Sequence, residues 1–362
     1  MDRANFALAE GAQRRGYAVH LVAHRVDQNL ASRGGVTVHQ VPKTLNSYFI
    51  GGLALNRAGR RLALKLKSRS CRVVVNGGNC NWPDTNWVHY VHASWKSVSA
   101  NFLKNLTFKF RHRHNLNIER SALRNAALVI ANSKRTKSDL VEGGLANEAR
   151  IRCIYYGIDA AVFKPASTAE KAAAREALAL PSNRPVLLFV GALGDRRKGL
   201  DVAIEAWQQL KPEGWDALLL VIGTGREVTR SQVEIERLGL SASIKFAGFR
   251  SDVPRLLAAC DGMLAPTRYE AYGLAVHEAL CCGLPTFVTD NAGVAERFPE
   301  SLRHFLLDSP PNANDLAEKL RTWRKNPKRS LESFEQLGCS LRARTWDCMA
   351  EEILKLMEEN PA

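Results

Sequence analysis

The sequence predicts an α/β protein made of two doubly wound, Rossmann-like domains facing a central cleft. Three observations carry this. Short apolar runs of strand length alternate with amphipathic helical stretches along the chain. Val186-Leu-Leu-Phe-Val190 is apolar at every position, as in a strand covered on both faces of a parallel sheet. The 362 residues exceed what one hydrophobic core usually organises. With 46% hydrophobic and 24% charged residues the chain is globular in composition, which excludes a disordered or fibrous protein.

Taken in order, Asn5 to Arg15 reads as a helix, with Phe6, Ala7, Leu8 and Ala12 at helical spacing. Gly16 then turns the chain into a strand ending at Ala23. Val36 to Val41 is a strand, Leu53 to Lys67 a basic amphipathic helix, Cys71 to Val75 a strand, and Asn86 to His92 another. Ile118 to Asn125 belongs to a helix and Ala127 to Ala131 is a strand. Ser133 to Glu142 is a helix with Ser133 as its cap, and Ile151 to Tyr156 closes this half. A linker from Pro165 leads to a helix at Glu170–Leu178. Strands follow at Val186–Val190, Ala217–Ile222, Ile244–Phe246, Gly262–Leu264 and Thr286–Val288, with a helix at Leu200–Leu210. The expected domains are residues 1–165 and 166–344, with a last helix, within 345–362, that returns to the first domain. An alternating chain should open with a strand and a Gly-rich loop before its first helix, and both are missing from the front of this one.

Charge divides the chain. The net charge is +15, and residues 1–165 hold 26 Lys and Arg against 9 Asp and Glu. That half should attract anionic partners. Two segments concentrate the charge. The first carries Arg57, Arg60, Arg61, Lys65, Lys67, Arg69 and Arg72. The second carries Lys104, Lys109, Arg111, Arg113, Arg120 and Arg124, with Phe102, Phe108 and Phe110. Basic helices with apolar stripes suit an anionic membrane surface, and a solvated helix face is the plain alternative. No nucleic-acid-binding module is visible. No apolar run reaches the ~18 residues of a transmembrane helix, and Met1-Asp-Arg-Ala-Asn5 lacks the apolar core of a signal peptide. Eight scattered cysteines without a CxxC pair read as buried, reduced thiols of a cytosolic protein.

The chemistry concentrates in Glu270-Ala-Tyr-Gly273-Leu274-Ala-Val-His-Glu278, followed by Ala-Leu-Cys-Cys-Gly283-Leu-Pro285. A strand before it and the Gly-Leu-Pro stop after it make this strand, loop and helix. Free N–H groups at a helix start suit a phosphate. The two flanking acids suit the hydroxyls of a sugar and a ribose. Gly191-Ala-Leu-Gly-Asp-Arg196-Arg197-Lys198-Gly199 also joins a strand to a helix, and its cations suit a diphosphate leaving group. Gly223-Thr-Gly225 ends a strand, but Val228 stands where a dinucleotide fingerprint needs glycine, so it reads as a loop near the ligand. His92, at the expected end of a strand, could hydrogen-bond a substrate, with His89 as its competitor. His112-Arg-His114 reads as basic surface. No Asp-x-Asp pair offers a clamp for a catalytic divalent ion, and no metal is expected.

Together these pieces resemble a GT-B-fold glycosyltransferase of family 4. The resemblance rests on Glu270-x7-Glu278, the Gly191–Gly199 loop, Ile154-Tyr-Tyr-Gly-Ile-Asp159-x3-Phe163-x-Pro165, Ala131-Asn-Ser133, and Ala247-Gly248-Phe249 through Asp252. It implies metal-independent transfer, with retention, of a sugar from a nucleoside diphosphate donor, UDP- or GDP-linked. It would put Glu270 on sugar hydroxyls and Glu278 on the ribose. Lys198 with Arg196 or Arg197 would hold the diphosphate, and amides near Gly273 and Leu274 would cap it. Phe249 would lie by the base, with Gly191, Gly223 and Gly225 around the donor. His92 would meet the donor sugar. The sequence departs from the family at Ala192, where many members carry arginine. The family's first strand and glycine loop would precede Met1, so a truncated start is expected. The acceptor is read as a glycan or lipid-linked molecule, and the location as cytoplasmic, peripheral on the membrane. The alternatives are a non-catalytic binding protein of the same fold for a nucleotide-sugar or glycan, a truncated inactive form, and a sugar-nucleotide epimerase, which would need further acids in the cleft.

Overall fold

The computed structural model describes residues 2–43, 48–66, 71–95 and 102–360. The side chains of residues 2, 48–50 and 102–112 lie outside that description. Lys67 and Arg69 therefore lie outside it, as do the side chains of Lys104, Lys109, Arg111, Phe102, Phe108 and Phe110. The chain forms two compact units, Met1–Gly157 with Arg344–Ala362, and Ile158–Ala343.

The first unit runs α1 (Asp2–Arg14), β1 (Val19–Ala23), α2 (Gln28–Ala31), β2 (Val36–Gln40), α3 (Tyr48–Leu66), β3 (Val74–Asn76), β4 (Thr85–Val88), α4 (Phe102–Asn125), β5 (Leu128–Ala131), α5 (Lys134–Glu142) and β6 (Ile151–Cys153). Strands β1 and β2 pair in parallel. Strands β3, β4, β5 and β6 form a second parallel sheet in that order. Val88, Leu123, Val129, Leu140 and Ile151 meet in one core beneath it. Ser133 caps α5 as expected, its hydroxyl accepting the Thr136 N–H.

The strands expected at Cys71–Val75 and Asn86–His92 are both shorter than their apolar patterns, β3 spanning only Val74–Asn76. β4 stops at Val88, and His92 begins a three-residue 3₁₀ turn, His92–Ser94. His92 is thus a turn residue, not a strand terminus. Polar His89 interrupts the run after Val88 and hydrogen-bonds sideways, and the strand ends there. Arg72 also departs from expectation. It forms an ion pair with Asp84 at 2.7 Å and donates to the carbonyls of Met357 and Asn360, so it ties the unit together instead of facing a partner. Arg57, Arg60, Arg61, Lys65, Arg113, Arg120 and Arg124 are exposed.

The second unit runs α6 (Thr168–Ala177), β7 (Val186–Val190), α7 (Leu200–Leu210), β8 (Leu218–Ile222), α8 (Val228–Arg237), β9 (Ile244–Gly248), α9 (Val253–Ala259), β10 (Gly262–Ala265), α10 (Leu274–Cys281), β11 (Thr286–Thr289), β12 (Leu306–Leu307), α11 (Ala313–Lys325) and α12 (Leu331–Arg342). Helix α6 starts in a reciprocal capping box between Ser167 and Glu170. Six parallel strands lie in the order β12-β11-β10-β7-β8-β9. Strands β8, β10 and β11 are buried at every residue, and β7 at all but its last. Each large apolar side chain so buried contributes roughly 1.5–3 kcal/mol. The chain leaves β7 toward β8 on one side and returns at β10 on the other. The crevice beyond the C-terminal ends of β7 and β10 is therefore the switch point at which open α/β sheets bind ligands.

A final helix, α13 (Trp346–Glu359), is capped by Thr345 and packs on α1 within the first unit. The eight cysteines are all free. Cys260, Cys281 and Cys282 are buried, with thiols that burial pushes up to about 12. The others do not fit the expectation of buried thiols: Cys71, Cys80 and Cys153 are half-buried, and Cys339 and Cys348 are exposed.

Candidate functional site

Two loops meet at the switch point of the second unit. One follows β7 and carries Gly191 to Gly199. The other follows β10 and carries Thr267 to Gly273. Arg268 fastens them together. Its guanidinium holds both oxygens of Asp201, at 2.8 and 2.9 Å, and donates to the Arg196 carbonyl at 2.8 Å. Its own N–H donates to the Arg197 carbonyl at 2.8 Å. Such two-point arginine–carboxylate pairs fix geometry as well as charge. Gly199 makes the close approach feasible: its φ is +73°, and a Cβ there would fall 1.8 Å from the Pro266 carbonyl oxygen.

This clamp brings Lys198, Arg197 and Glu270 together. Lys198 Nζ hydrogen-bonds a Glu270 carboxylate oxygen, and an Arg197 amine lies 3.8 Å from the same oxygen. All three side chains are mostly buried, with exposures of 19%, 18% and 14%. Burial pushes the Glu270 carboxyl up, but the Lys198 and Arg197 charges outweigh it and hold the group below its ordinary value. Glu270 is thus an ionised acid between two cations.

Of the two arginines offered for the diphosphate, the structure separates one from the other. Arg197 reaches Glu270 and donates to the Tyr269 carbonyl at 3.2 Å. Arg196 has a left-handed backbone (φ +57°), and its side chain, 47% exposed, turns to Glu227 and Asp201 at 3.9 and 4.0 Å.

Helix α10 starts beside these groups. Gly273 precedes it at φ +107°, and Leu274 is its first residue. The loop before it is braced from behind: Gly293 donates to the Glu270 carbonyl at 3.1 Å and Val294 to that of Tyr272 at 2.7 Å. A cavity of about 230 Å³ lies under the helix start, lined by Lys198, Glu270, Gly273, Leu274, Ala275 and Thr267 among others. Its wall thus combines a cation, an anion and a helix N-terminus, a set that suits a phosphate next to hydroxyl groups.

Glu278 lies one turn into α10. Its carboxylate has no hydrogen bond or ion pair among the described residues, and burial pushes it up to about 7. Gly223 and Gly225 sit behind the phosphate-loop backbone. The Gly223 N–H donates to Gly248 at 2.8 Å, and Cβ atoms at 223 and 225 would fall 1.9 and 2.1 Å from the carbonyl oxygens of Gly191 and Leu193. These glycines therefore shape the loop through packing. Phe249 follows β9 and is 78% exposed, next to the bidentate pair of Arg250 and Asp252.

In the first unit His89 and His92 have different surroundings. Nε2 of His89 meets Asn76 at 2.8 Å and Nδ1 meets the Tyr156 hydroxyl, which also takes the Asn132 amide at 3.1 Å. Burial drives His89 down to about 3, so it stays neutral and serves the packing of the strand ends. This network explains Asn132, which also accepts from Thr136 at the start of α5. His92 is half-buried, its ring edge-on to Tyr90 at 5.0 Å. Its backbone N–H donates to Glu119 at 2.9 Å. Sequence reasoning overlooked Glu119, although a signal existed. It stands on the apolar stripe of α4 with Ala122 and Leu123, where an acid is out of place. Among the described residues no group of three or more His, Cys, Asp or Glu is arranged for a metal ion, and no helix is long and apolar enough to cross a membrane.

Comparison with known proteins agrees with the resemblance read from the motifs. Residues 170–338 match the family described as glycosyl transferases group 1, and residues 1–162 match glycosyltransferase family 4. A D-inositol 3-phosphate glycosyltransferase of Corynebacterium jeikeium is 28% identical, over 76% of this chain and 67% of its own length. Matches to the next curated relatives span about half of those proteins. Among solved structures, Anabaena Alr3699/HepE in complex with UDP-glucose is 19% identical with a TM-score of 0.73, covering 99% of this chain and 95% of that one. Sucrose-phosphate synthase from Thermosynechococcus elongatus is 21% identical with a TM-score of 0.77, covering 97% and 91%. These structures share the GT-B fold of two parallel-sheet, Rossmann-like domains.

Proposed function

Because the chain belongs to the group 1, family 4 glycosyltransferases, we propose that it transfers a sugar, with retention, from a nucleoside diphosphate sugar to a glycan or lipid-linked acceptor. The observation that carries this reading is the convergence of Lys198, Glu270 and the α10 N-terminus on one cavity at the switch point, with Arg197 3.8 Å from the Glu270 carboxylate.

The donor fits that set of groups. Lys198, Arg197 and the N–H groups at Gly273 and Leu274 hold the diphosphate. As the bond from the sugar C1 to the diphosphate oxygen breaks, negative charge collects on that oxygen, and these fixed positive groups stabilise it. With Lys198 engaged by phosphate, the Glu270 carboxylate accepts from sugar hydroxyls. Glu278 accepts from the ribose, which gives its unpartnered carboxylate two donors. Phe249 offers an aromatic surface to the base, and His92 meets the donor sugar. Arg196 is assigned to loop structure in place of the catalytic role first expected of it. The Anabaena relative binds UDP-glucose, which favours UDP as the nucleotide over GDP. The Corynebacterium relative is named for D-inositol 3-phosphate, and an anionic acceptor of that kind suits the basic first unit.

Release of nucleoside diphosphate from UDP- and GDP-sugars tests the reading. The protein should release it slowly in water and faster with acceptor, and Glu270→Ala should lower the rate about 100-fold or more. Tight donor binding without any release would leave the non-catalytic binding protein. Full turnover by Glu270→Ala would refute the site.

A further inference from the structure

The turn that carries His92 is held by a buried carboxylate. Glu119, in the last two turns of α4, is 1% exposed. Its Oε1 accepts the His92 N–H at 2.9 Å, and the Ala93 N–H also points to the carboxylate. Its Oε2 is buried with no hydrogen-bond partner among the described residues. The same helix supports the neighbouring strand end. A Cβ on Gly78, in the turn after β3, would lie 3.1 Å from Ile118 and 3.3 Å from the Glu119 nitrogen. One segment of α4 therefore backs both turns that follow β3 and β4.

Burial pushes the Glu119 carboxyl up to about 7, and a group that is buried with one oxygen unpaired is expensive to keep in either form. Such a group persists where it fixes something. We propose that Glu119 is a positioning residue for sugar transfer, its carboxylate fixing the His92–Ser94 turn and so aiming the His92 imidazole. The proposal rests on the donor-sugar role assigned above to His92. Glu119 acts through this turn and touches no substrate.

Two readouts test it. The first does not need activity: the ring ¹H–¹³C signal of His92, assigned by its loss in His92→Ala. In Glu119→Ala this signal should shift and broaden, and Glu119→Gln, which keeps an acceptor oxygen, should restore most of its position. The second is kinetic. Glu119→Ala should lower kcat roughly 100-fold, the scale of a small misplacement of a reacting group, with nucleoside diphosphate affinity unchanged. Adding His92→Ala to Glu119→Ala should cost nothing further. An unmoved His92 signal in folded Glu119→Ala would overturn the proposal, as would losses from the two substitutions that multiply. If Glu119→Ala does not fold, Glu119→Asp, which retracts the carboxylate by one methylene, decides through the same signal. If the wild-type protein transfers no sugar, the function proposed above fails while the ring signal still decides the positioning role.

Discussion

The acids of the candidate site differ in the charge they carry. Glu270 is held ionised by Lys198 and Arg197, whereas burial raises Glu278 to about 7. Lys198→Ala removes a cation from the proposed diphosphate site, and calorimetry should show nucleoside diphosphate affinity falling by the 1.5–3 kcal/mol of a charge-assisted hydrogen bond, about 10- to 150-fold. Glu278 predicts a pH dependence. Between its ordinary value of 4.5 and about 7 the folded protein keeps a proton that the unfolded chain has released. Its contribution to stability therefore falls as pH rises through that window. Glu278→Gln should gain stability over the wild type at pH 8 and not at pH 4.5, as read from denaturant midpoints. Ribose hydroxyls donate to the ionised form, so nucleotide affinity should tighten from pH 6 to pH 8 in the wild type more than in Glu278→Gln. Equal pH profiles would remove Glu278 from the ribose. The two acids and Lys198 were legible from the sequence because their spacing around a helix start carries the chemistry. The placement of Arg197, and not Arg196, beside Glu270 was not, since it goes with one left-handed residue, and nothing in Arg-Arg-Lys marks which residue adopts that backbone.

Among the elements, α7 and α10 show how closely local sequence and site are coupled. Helix α7 spans Leu200–Leu210, as its apolar spacing predicts, and β7 likewise matches its apolar run. Their positions are fixed by glycines that admit a neighbouring backbone. Gly199→Ala would combine φ +73° with a Cβ 1.8 Å from the Pro266 oxygen. It should cost on the order of 3 kcal/mol in urea unfolding and weaken nucleotide binding together with it, because both site loops would have to separate. Unchanged stability would mean that the loops tolerate a wider gap. β4 marks the limit of pattern reading. The apolar residues from Trp87 to Val91 suggest one strand, yet His89 takes two side-chain hydrogen bonds and Glu119 draws the His92 N–H away from any ladder. Long-range partners thus end a strand that local propensity would continue.

At the scale of the molecule, charge and binding sites fall in different places. The excess of positive charge lies in residues 1–165, with several of its side chains exposed, whereas the proposed donor groups other than His92 lie in the second unit. A ligand that binds only the folded protein stabilises by about 2.7 kcal/mol at one hundred times its dissociation constant. UDP at that level should raise the unfolding temperature of the second unit. Lys198→Ala should cut the shift to about half or less at the same concentration, and a differential scan would show it. A shift by GDP and none by UDP would reverse the choice of nucleotide, and no shift with either would argue against the donor site.

The sequence alone determined the α/β alternation, two units, the helix starts proposed to face a phosphate and the acids that flank them. These are local properties, written in periodicity, capping residues and glycine placement within a few positions of one another. The tertiary structure decided what depends on residues far apart in the chain. It set Arg197 beside Glu270 and turned Arg196 away, packed Gly223 and Gly225 against the loop backbone, set His89 apart from His92 and revealed Glu119 behind the His92 turn. The reason is physical: burial, hydrogen-bond pairing and charge balance are set by neighbours in space, and partners can lie far apart in the chain, Glu119 27 residues from His92 and Glu270 72 from Lys198.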